Sequence, residues 1–194
     1  MDDIFRYRKN AKLDGLCDDW DKMWAACHND KEKLIRLAMM QQSFPHFVTY
    51  CYNGRGVSKE YLLREFSNFI NGKIFHGCDN VDGFSYSMYV NCTEDIATNV
   101  DVSYILWTTD VDVIVSLTKC PSYFVGCSSN IHFGLEGYNS TRIYLYDNSK
   151  VTIDYCDEES DVTIFKYSED AEVEIGKYCL GKVREFNKDL RLQL

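Results

Sequence analysis

The sequence predicts an α+β protein in which an α-helical N-terminal cap is followed by an all-β region wound as a short-rung β-solenoid. Three observations favour this fold class. Apolar residues recur at steps of three and four between residues 13 and 72, and they alternate at a period of two afterwards. A third observation is the near-repetition of Val-x-Ile pairs toward the C-terminus. We therefore expect a cap over residues 1–72 and a solenoid-like region over residues 73–194, packed together as one unit.

The helical part contains an apolar stripe and two recognisable capping residues. Asp30 is expected to cap one helix and Ser58 a later one, because their side-chain oxygens accept hydrogen bonds from the first N–H groups of a helix. Such a helical cap would close one end of the β-region. The stripe, which predicts one helix, consists of Leu13, Leu16, Cys17, Trp20, Trp24 and Cys27.

The β-region is marked by Val-x-Ile pairs that begin at Val151, Val162 and Val173, at steps of eleven residues. This step fits one strand per short rung, with the apolar side chains of successive rungs stacked into a continuous core. An antiparallel meander or sandwich gives similar spacing when its strands are joined by short turns. It stays the alternative to the solenoid.

The formal net charge is −9, and the negative charge is concentrated in the C-terminal half. Residues 147–180 contain ten Asp or Glu against three Lys or Arg, whereas residues 1–72 are nearly balanced. A negative surface repels phosphate backbones. This argues against direct nucleic-acid binding and favours a basic protein partner.

The chain is expected in the cytoplasm. The residues after Met1 are charged and do not form the apolar segment of a signal peptide. No apolar run approaches the roughly 18–20 residues that cross a bilayer, so no membrane association is predicted. Nine cysteines occur without any Cys-x-x-Cys pair, and we expect reduced thiols that pack as small hydrophobic side chains.

No catalytic residue, metal ligand or cofactor is predicted. The sequence lacks the glycine motifs of nucleotide-binding proteins, the Gly-x-Ser-x-Gly of hydrolases and the His-Glu-x-x-His of zinc proteases. Cys27-His28 and the pair His76 and Cys78 offer four zinc ligands or a Cys-His nucleophile pair, but neither spacing is a recognised signature. We therefore expect no enzyme. An enzyme that uses these residues or the acidic cluster near residue 158 stays a further hypothesis.

Two segments resemble known groups of proteins. Residues 146–151, Tyr-Asp-Asn-Ser-Lys-Val, resemble the repeating unit of short-period β-helix proteins from bacteriophages. The N-terminal block, notably residues 16–40 and the segment Gly-Val-Ser-Lys-Glu-Tyr at residues 56–61, is similar to uncharacterised proteins of gut-bacterial phages and mobile elements. The resemblance implies a phage or mobile-element origin, and hence the cytoplasm of a host cell, but no assigned chemistry.

We interpret the chain as a non-enzymatic protein-interaction module that presents an acidic, tyrosine-bearing β-face to a protein partner. Tyrosine offers a large contact area at a low cost in conformational entropy. A negative surface that competes for a nucleic-acid-binding site would inhibit a host nucleic-acid-binding or defence protein. The alternative is a virion accessory protein that self-associates through the solenoid ends as a homo-oligomer. The predicted partner-binding residues are Tyr146, Asp154, Asp157, Glu158, Glu159, Asp161, Tyr167, Glu169, Asp170, Glu172 and Glu174.

Overall fold

The computed structural model describes residues 2–39, 44–70, 73–78, 85–97, 100–115, 120–137 and 140–188. The chain divides into two compact units, residues 1–71 and 72–194. The first unit is helical and the second is a parallel β-solenoid, which confirms the predicted fold class. That the two parts pack together as one unit stays a prediction.

The helical unit has both predicted capping interactions. The carboxylate of Asp30 accepts a hydrogen bond from the backbone N–H of Lys33 at 3.1 Å, and the hydroxyl of Ser58 accepts one from the N–H of Tyr61 at 3.2 Å. Each cap satisfies an N–H group that has no partner inside its own helix. The helices within the described residues are α1 (Asp3–Leu13), α2 (Asp18–Ala26), α3 (Lys31–Ala38), α4 (Phe44–Tyr52) and α5 (Lys59–Ile70).

The single helix predicted along the stripe from residue 13 to residue 27 is wrong. The chain turns between α1 and α2, where Gly15 has a φ of +91°, a conformation that glycine adopts without steric cost. The stripe therefore does not form one face. Leu13 is 73% exposed at the end of α1, whereas Trp24 is buried in α2.

An aromatic cluster centred on Tyr7 forms much of the helical unit's core. The Tyr7 ring lies 5.5 Å from the ring of Trp24, 6.0 Å from Phe47 and 5.3 Å from Tyr50. Edge-to-face pairs of this kind stabilise a fold by about 0.5–1.5 kcal/mol beyond the area that they bury. The cluster joins α1, α2 and α4.

The second unit is a solenoid because its strands pair with partners one turn away, not with their neighbours in sequence. Every strand pair from β2 onward is parallel, and β1 pairs antiparallel with β2. The described strands form a seven-stranded sheet, in the order β1-β2-β4-β6-β8-β10-β12, and a five-stranded sheet, in the order β11-β9-β7-β5-β3. This pairing excludes the meander over residues 85–187. The strands are β1 (Lys73–Cys78), β2 (Ser85–Val90), β3 (Ile96–Ala97), β4 (Val102–Leu106), β5 (Thr109–Val115), β6 (Ser122–Gly126), β7 (Asn130–Leu135), β8 (Ser140–Leu145), β9 (Lys150–Cys156), β10 (Asp161–Lys166), β11 (Glu172–Cys179) and β12 (Lys182–Asn187).

Each turn of the solenoid contains two strands, one in each sheet, where the sequence pattern suggested one strand per rung. Between β4 and β12, paired residues of neighbouring turns are 20 to 23 positions apart, and the pairs of β2 with β4 and of β3 with β5 are 16 and 17 positions apart. The eleven-residue step from Val151 to Val162 and on to Val173 is therefore half a turn. The first step takes the chain from β9 in the five-stranded sheet to β10 in the seven-stranded sheet, and the second step returns it to β11 in the five-stranded sheet.

Inward-facing side chains of both sheets stack in register into a continuous core. Val113, Phe133 and Ile153 occupy successive positions of one column in the five-stranded sheet, and all three are fully buried. Burial of each such side chain stabilises the fold by about 1.5–3 kcal/mol. No turn encloses this core alone, so each turn depends on its neighbours.

Buried hydroxyl groups line the turns that lead from the seven-stranded sheet into the five-stranded sheet. Thr108, Ser129 and Ser149 follow one another in successive turns, and each is at most 1% exposed. The Ser129 hydroxyl accepts a hydrogen bond from the N–H of Thr108 and donates one to the carbonyl of Gly126. The polar groups in these tight turns are thus satisfied internally, as buried polar groups must be.

The segment Tyr-Asp-Asn-Ser-Lys-Val at residues 146–151 ties one turn to the preceding one. The carboxylate of Asp147 accepts hydrogen bonds from the N–H groups of Cys127 and Ser128, and from the hydroxyl of Ser149. Val151 then enters the core. The segment that resembles a β-helix repeat therefore combines a turn, a buried hydroxyl and a core residue.

We predict that Phe133→Ala lowers the free energy of unfolding by about 3–5 kcal/mol, because it removes a fully buried ring and leaves a cavity. Ile114→Ala is the matched control on the neighbouring strand. Ile114 is 46% exposed, so its loss should change stability by no more than about 0.5 kcal/mol. Urea unfolding followed by circular dichroism measures both. Equal losses would contradict the assigned core.

A pair of glycines on the same sheet gives a second test of the packing. A Cβ at Gly176 would lie 2.9 Å from the carbonyl oxygens of Ile153 and Asp154, whereas a Cβ at Gly134 would meet no atom within 4 Å. We predict that Gly176→Ala destabilises the solenoid by about 1–3 kcal/mol. Gly134→Ala should be neutral or slightly stabilising, because alanine restricts the unfolded chain. Thermal unfolding of both variants would reveal the difference, and a tolerated alanine at position 176 would contradict the close strand packing there.

Candidate functional site

The five-stranded sheet has an outer surface with acidic side chains and exposed tyrosines, which we call the acidic face. Outward and inward side chains alternate along its strands. In β5, for example, Asp112 and Ile114 are exposed, whereas Val111, Val113 and Val115 are buried. The acidic face consists of Asp112, Ile114, His132, Lys150, Asp154, Tyr155, Glu172, Glu174, Lys177 and Tyr178.

An exposed apolar column runs across this face. Ile114 pairs in register with Gly134, Gly134 with Tyr155, and Tyr155 with Tyr178. The exposed fractions are 46% for Ile114, 39% for Tyr155 and 61% for Tyr178. Because Gly134 has no side chain, the column contains a shallow gap between Ile114 and Tyr155. Aromatic side chains are enriched in protein interfaces relative to the rest of the protein surface.

A polar column lies beside the apolar one. Asp112 pairs in register with His132, His132 with Thr152, and Thr152 with Glu174. Lys150 forms an ion pair with Glu174 at 2.8 Å, and this hydrogen bond lowers the pKa of Glu174 from its ordinary value. The column thus mixes both signs of charge with an excess of carboxylates.

The predicted residues Asp157, Glu158 and Glu159 lie in the turn that follows β9, at the border of the acidic face. Glu158 and Glu159 are exposed. Asp157 accepts hydrogen bonds from the hydroxyl of Tyr155 and the N–H of Gly137, and these two bonds lower its pKa. Asp157 therefore has a structural role, because it links its turn to the preceding one and orients Tyr155.

The other predicted residues lie elsewhere on the solenoid. Asp161 begins β10 in the seven-stranded sheet and forms an ion pair with Arg184 at 2.5 Å. Tyr146 and Tyr167 stack at 5.0 Å with their rings nearly parallel, and burial raises the pKa of Tyr146. Glu169 and Asp170 lie in the turn between β10 and β11. The structure therefore brings Asp154, Glu172 and Glu174 together on one face and places the remaining predicted residues around the turns and on the other sheet.

Tyr146 and Tyr167 flank an aromatic ladder on the outer surface of the seven-stranded sheet. Its rings occupy register positions of successive turns, with centroid distances between 4.5 and 5.7 Å. Stacked rings cover each other's faces, so this ladder stabilises the stack of turns and offers edges rather than faces to a partner. The ladder consists of Tyr104, Phe124, Tyr144, Phe165 and Phe186.

The two Cys/His pairs belong to different units. Cys27 and His28 follow α2, where the Cys27 thiol donates a hydrogen bond to the carbonyl of Met23. His76 and Cys78 lie in β1. The zinc and nucleophile hypotheses for these four residues stay untested. No helix in the described part of the chain is both long enough and apolar enough to span a membrane.

The predicted partner-binding residues do not include Ile114, Asp112, Tyr155 or Tyr178, which lie on the acidic face. The number of residues in one turn of the solenoid would have predicted them, because neighbours on this face are one turn apart in the sequence. Asp112 and His132 are 20 positions apart, and Tyr155 and Tyr178 are 23 positions apart across an irregular pairing. Without the winding of the chain, such distant residues give no local pattern.

Comparison of the chain with protein-family models, with curated proteins and with solved structures finds no match.

We predict that acid removes the stabilising effect of Asp157. Its folded-state pKa is lowered, so its contribution to stability is present above the ordinary value of 3.8 and is lost as pH falls through the lower folded-state pKa. Asp157→Asn should therefore be less stable than the wild type at neutral pH, and the difference should shrink below pH 3.8. Urea midpoints at neutral and acidic pH test this. Glu158→Gln, in the same turn, is the control, and a similar pH effect for that variant would contradict the assignment.

Proposed function

We propose that the chain is a non-enzymatic protein-interaction module whose acidic face binds a protein partner with a basic surface. The observation that carries this proposal is the in-register column of Ile114, Tyr155 and Tyr178, exposed among carboxylates. Exposed aromatic side chains dominate binding energy in protein interfaces, and surrounding charges set specificity and association rate.

The side chains of the acidic face extend from strands of the solenoid, and two of its rings have contacts that position them. The Tyr155 hydroxyl is held by Asp157, and the Lys177 ammonium lies 4.7 Å from the centre of the Tyr178 ring. A side chain that is already positioned loses less conformational entropy when it binds. The tyrosines would therefore supply contact area at low cost, as anchors of the interface.

The charge of the face favours a partner that normally binds nucleic acid. Asp112, Asp154 and Glu172 are exposed carboxylates on this face, and Glu174 adds a fourth. A surface that recognises phosphate groups is basic and has an electrostatic fit to such a face. We therefore propose that the chain inhibits a nucleic-acid-binding or defence protein of a host cell by occupying that surface. A phage or mobile-element origin is part of the same proposal.

We predict that Tyr178→Ala and Tyr155→Ala each weaken partner binding by about 2 kcal/mol or more, the loss typical of an anchor residue. The partner is first captured from host lysate with the tagged, nuclease-treated protein and identified by mass spectrometry. Its affinity for each variant is then measured with purified proteins. Leu13→Ala is the matched control, since it truncates a 73% exposed apolar residue of the helical unit.

Salt and competition separate this proposal from unspecific capture. Binding should weaken as the screening length falls below about 8 Å, and nucleic acid should compete for the captured protein. A captured protein that binds the tyrosine variants as tightly as the wild type would contradict the proposed face. One that binds nucleic acid and this chain at the same time would contradict the proposed inhibition.

Self-association through the end of the solenoid is a second candidate. In the last turn, Ile175 is 44% exposed and Leu180 is 63% exposed, so apolar surface remains at that end. However, Glu185 on the edge strand β12 pairs in register with Ile164 on β10, whose side chain faces the core. Glu185 therefore occupies an inward-facing position on β12. A charge that points inward on an edge strand opposes the addition of another strand. Sedimentation velocity distinguishes the two candidates. Oligomers that form as the protein concentration rises, and that Leu180→Asp abolishes, would favour self-association over the monomeric module.

A further inference from the structure

Three potential metal ligands come together in the polar column of the acidic face. Asp112, His132 and Asp154 each offer one ligand atom, and these atoms all lie within 4.8 Å of one another. We propose that these three residues form a binding site for a divalent transition-metal ion such as Zn²⁺. The site is independent of the protein partner proposed above, because metal binding needs only this chain.

The distances suit a shared metal ion. Two ligand atoms that are each about 2.0–2.2 Å from a zinc ion lie about 3.0–3.5 Å from each other. The Nδ1 atom of His132 and the Oδ2 atom of Asp154 are 2.9 Å apart, close to that separation. Metal binding requires the exposed side chain of Asp112, whose ligand atom lies within 4.8 Å of the other two, to rotate toward them. A metal ion bound at Nδ1 takes the place of a proton on that nitrogen, and the neutral imidazole then carries its proton on Nε2.

The solenoid itself creates this arrangement. Parallel pairing places Asp112 on β5 directly beside His132 on β7. On β9 the register shifts after Ile153, which pairs with Phe133, so that Tyr155 rather than Asp154 pairs with Gly134. Asp154 is thus an extra residue in a β-bulge. Bulges re-aim side chains, and this one turns a carboxylate toward His132 instead of leaving it in the regular outward column.

The donor set selects the class of metal. One imidazole nitrogen with two carboxylates suits Zn²⁺, Co²⁺ or Ni²⁺, whereas Ca²⁺ and Mg²⁺ prefer ligand sets made of oxygen atoms alone. Three protein ligands leave room for water in the remaining coordination positions. The empty space above Gly134, where a Cβ would meet no atom within 4 Å, leaves the side of the site open to solvent.

The test must distinguish this site from the cysteines, since Cys17 and Cys120 are exposed and thiolates are zinc ligands. We would titrate the protein with Zn²⁺ and follow the imidazole resonances by NMR, with that of His132 assigned from His132→Gln. The His132 resonance should shift to saturation, and Asp112→Asn and Asp154→Asn should each weaken the binding that it reports by about tenfold or more. Glu172→Gln, which removes one charge from the same face outside the site, should leave the binding unchanged.

Two results of the zinc titration would overturn the proposal. One is a His132 resonance that does not move while zinc binds to thiols, and the other is an affinity that Asp112→Asn and Glu172→Gln reduce equally. Mg²⁺ provides a further check on the electrostatic explanation. If Mg²⁺ shifts the His132 resonance at the same concentrations as Zn²⁺, the acidic face attracts cations without coordinating them, and the assigned site is wrong. Circular dichroism of each variant confirms that it is folded.

Discussion

The structure of the β-unit depends on the in-register hydrogen bonding of parallel strands from one turn of the solenoid to the next. Between β4 and β12, this pairing places each paired residue beside one that lies 20 to 23 positions away in the chain. Side chains therefore form columns, and each column has one physical role. One column in the core consists of Val113, Phe133 and Ile153. Another consists of the buried hydroxyl groups of Thr108, Ser129 and Ser149, which lie in the turns between the two sheets. The rings from Tyr104 to Phe186 stack outside the seven-stranded sheet.

The strands and their assembly into a solenoid could be predicted because apolar and polar residues alternate, and because Val-x-Ile pairs recur at equal steps. The number of strands per turn could not be predicted from that step. A repeat of eleven residues fits one turn with one strand, and it equally fits half a turn when the two sheets have similar inward residues. Only the pairing of Val151 with Val173, and not with Val162, decides between them. In β4, Tyr104, Ile105 and Leu106 are all buried, so alternation alone does not show which side faces the core there.

The candidate site was harder to predict than the fold for the same reason. Residues 154–161 are close in sequence, but they span the end of β9, a turn and the start of β10. As a result Asp154 lies on the acidic face, Asp157 holds a turn, and Asp161 is paired with Arg184 on the other sheet. Conversely, Asp112 and His132 are distant in sequence and adjacent in space. In a solenoid, surface patches are made of residues one turn apart, so the composition of a segment predicts the charge of the molecule better than the location of its binding surface.

The charge pattern of the acidic face supports the proposed binding of a cation, whether a basic side chain or a metal ion. Like charges at directly paired positions of neighbouring strands are destabilising. Between Asp112 and Glu174 the polar column has His132 and Thr152, which keep the two carboxylates apart. Lys150 neutralises Glu174 on the outermost strand, but the cluster around His132 has two carboxylates and one imidazole. A positive ligand at that point would be attracted by both carboxylates. The exposed column of Ile114, Tyr155 and Tyr178 lies beside it, so a protein that supplies this positive charge also finds apolar surface to bury.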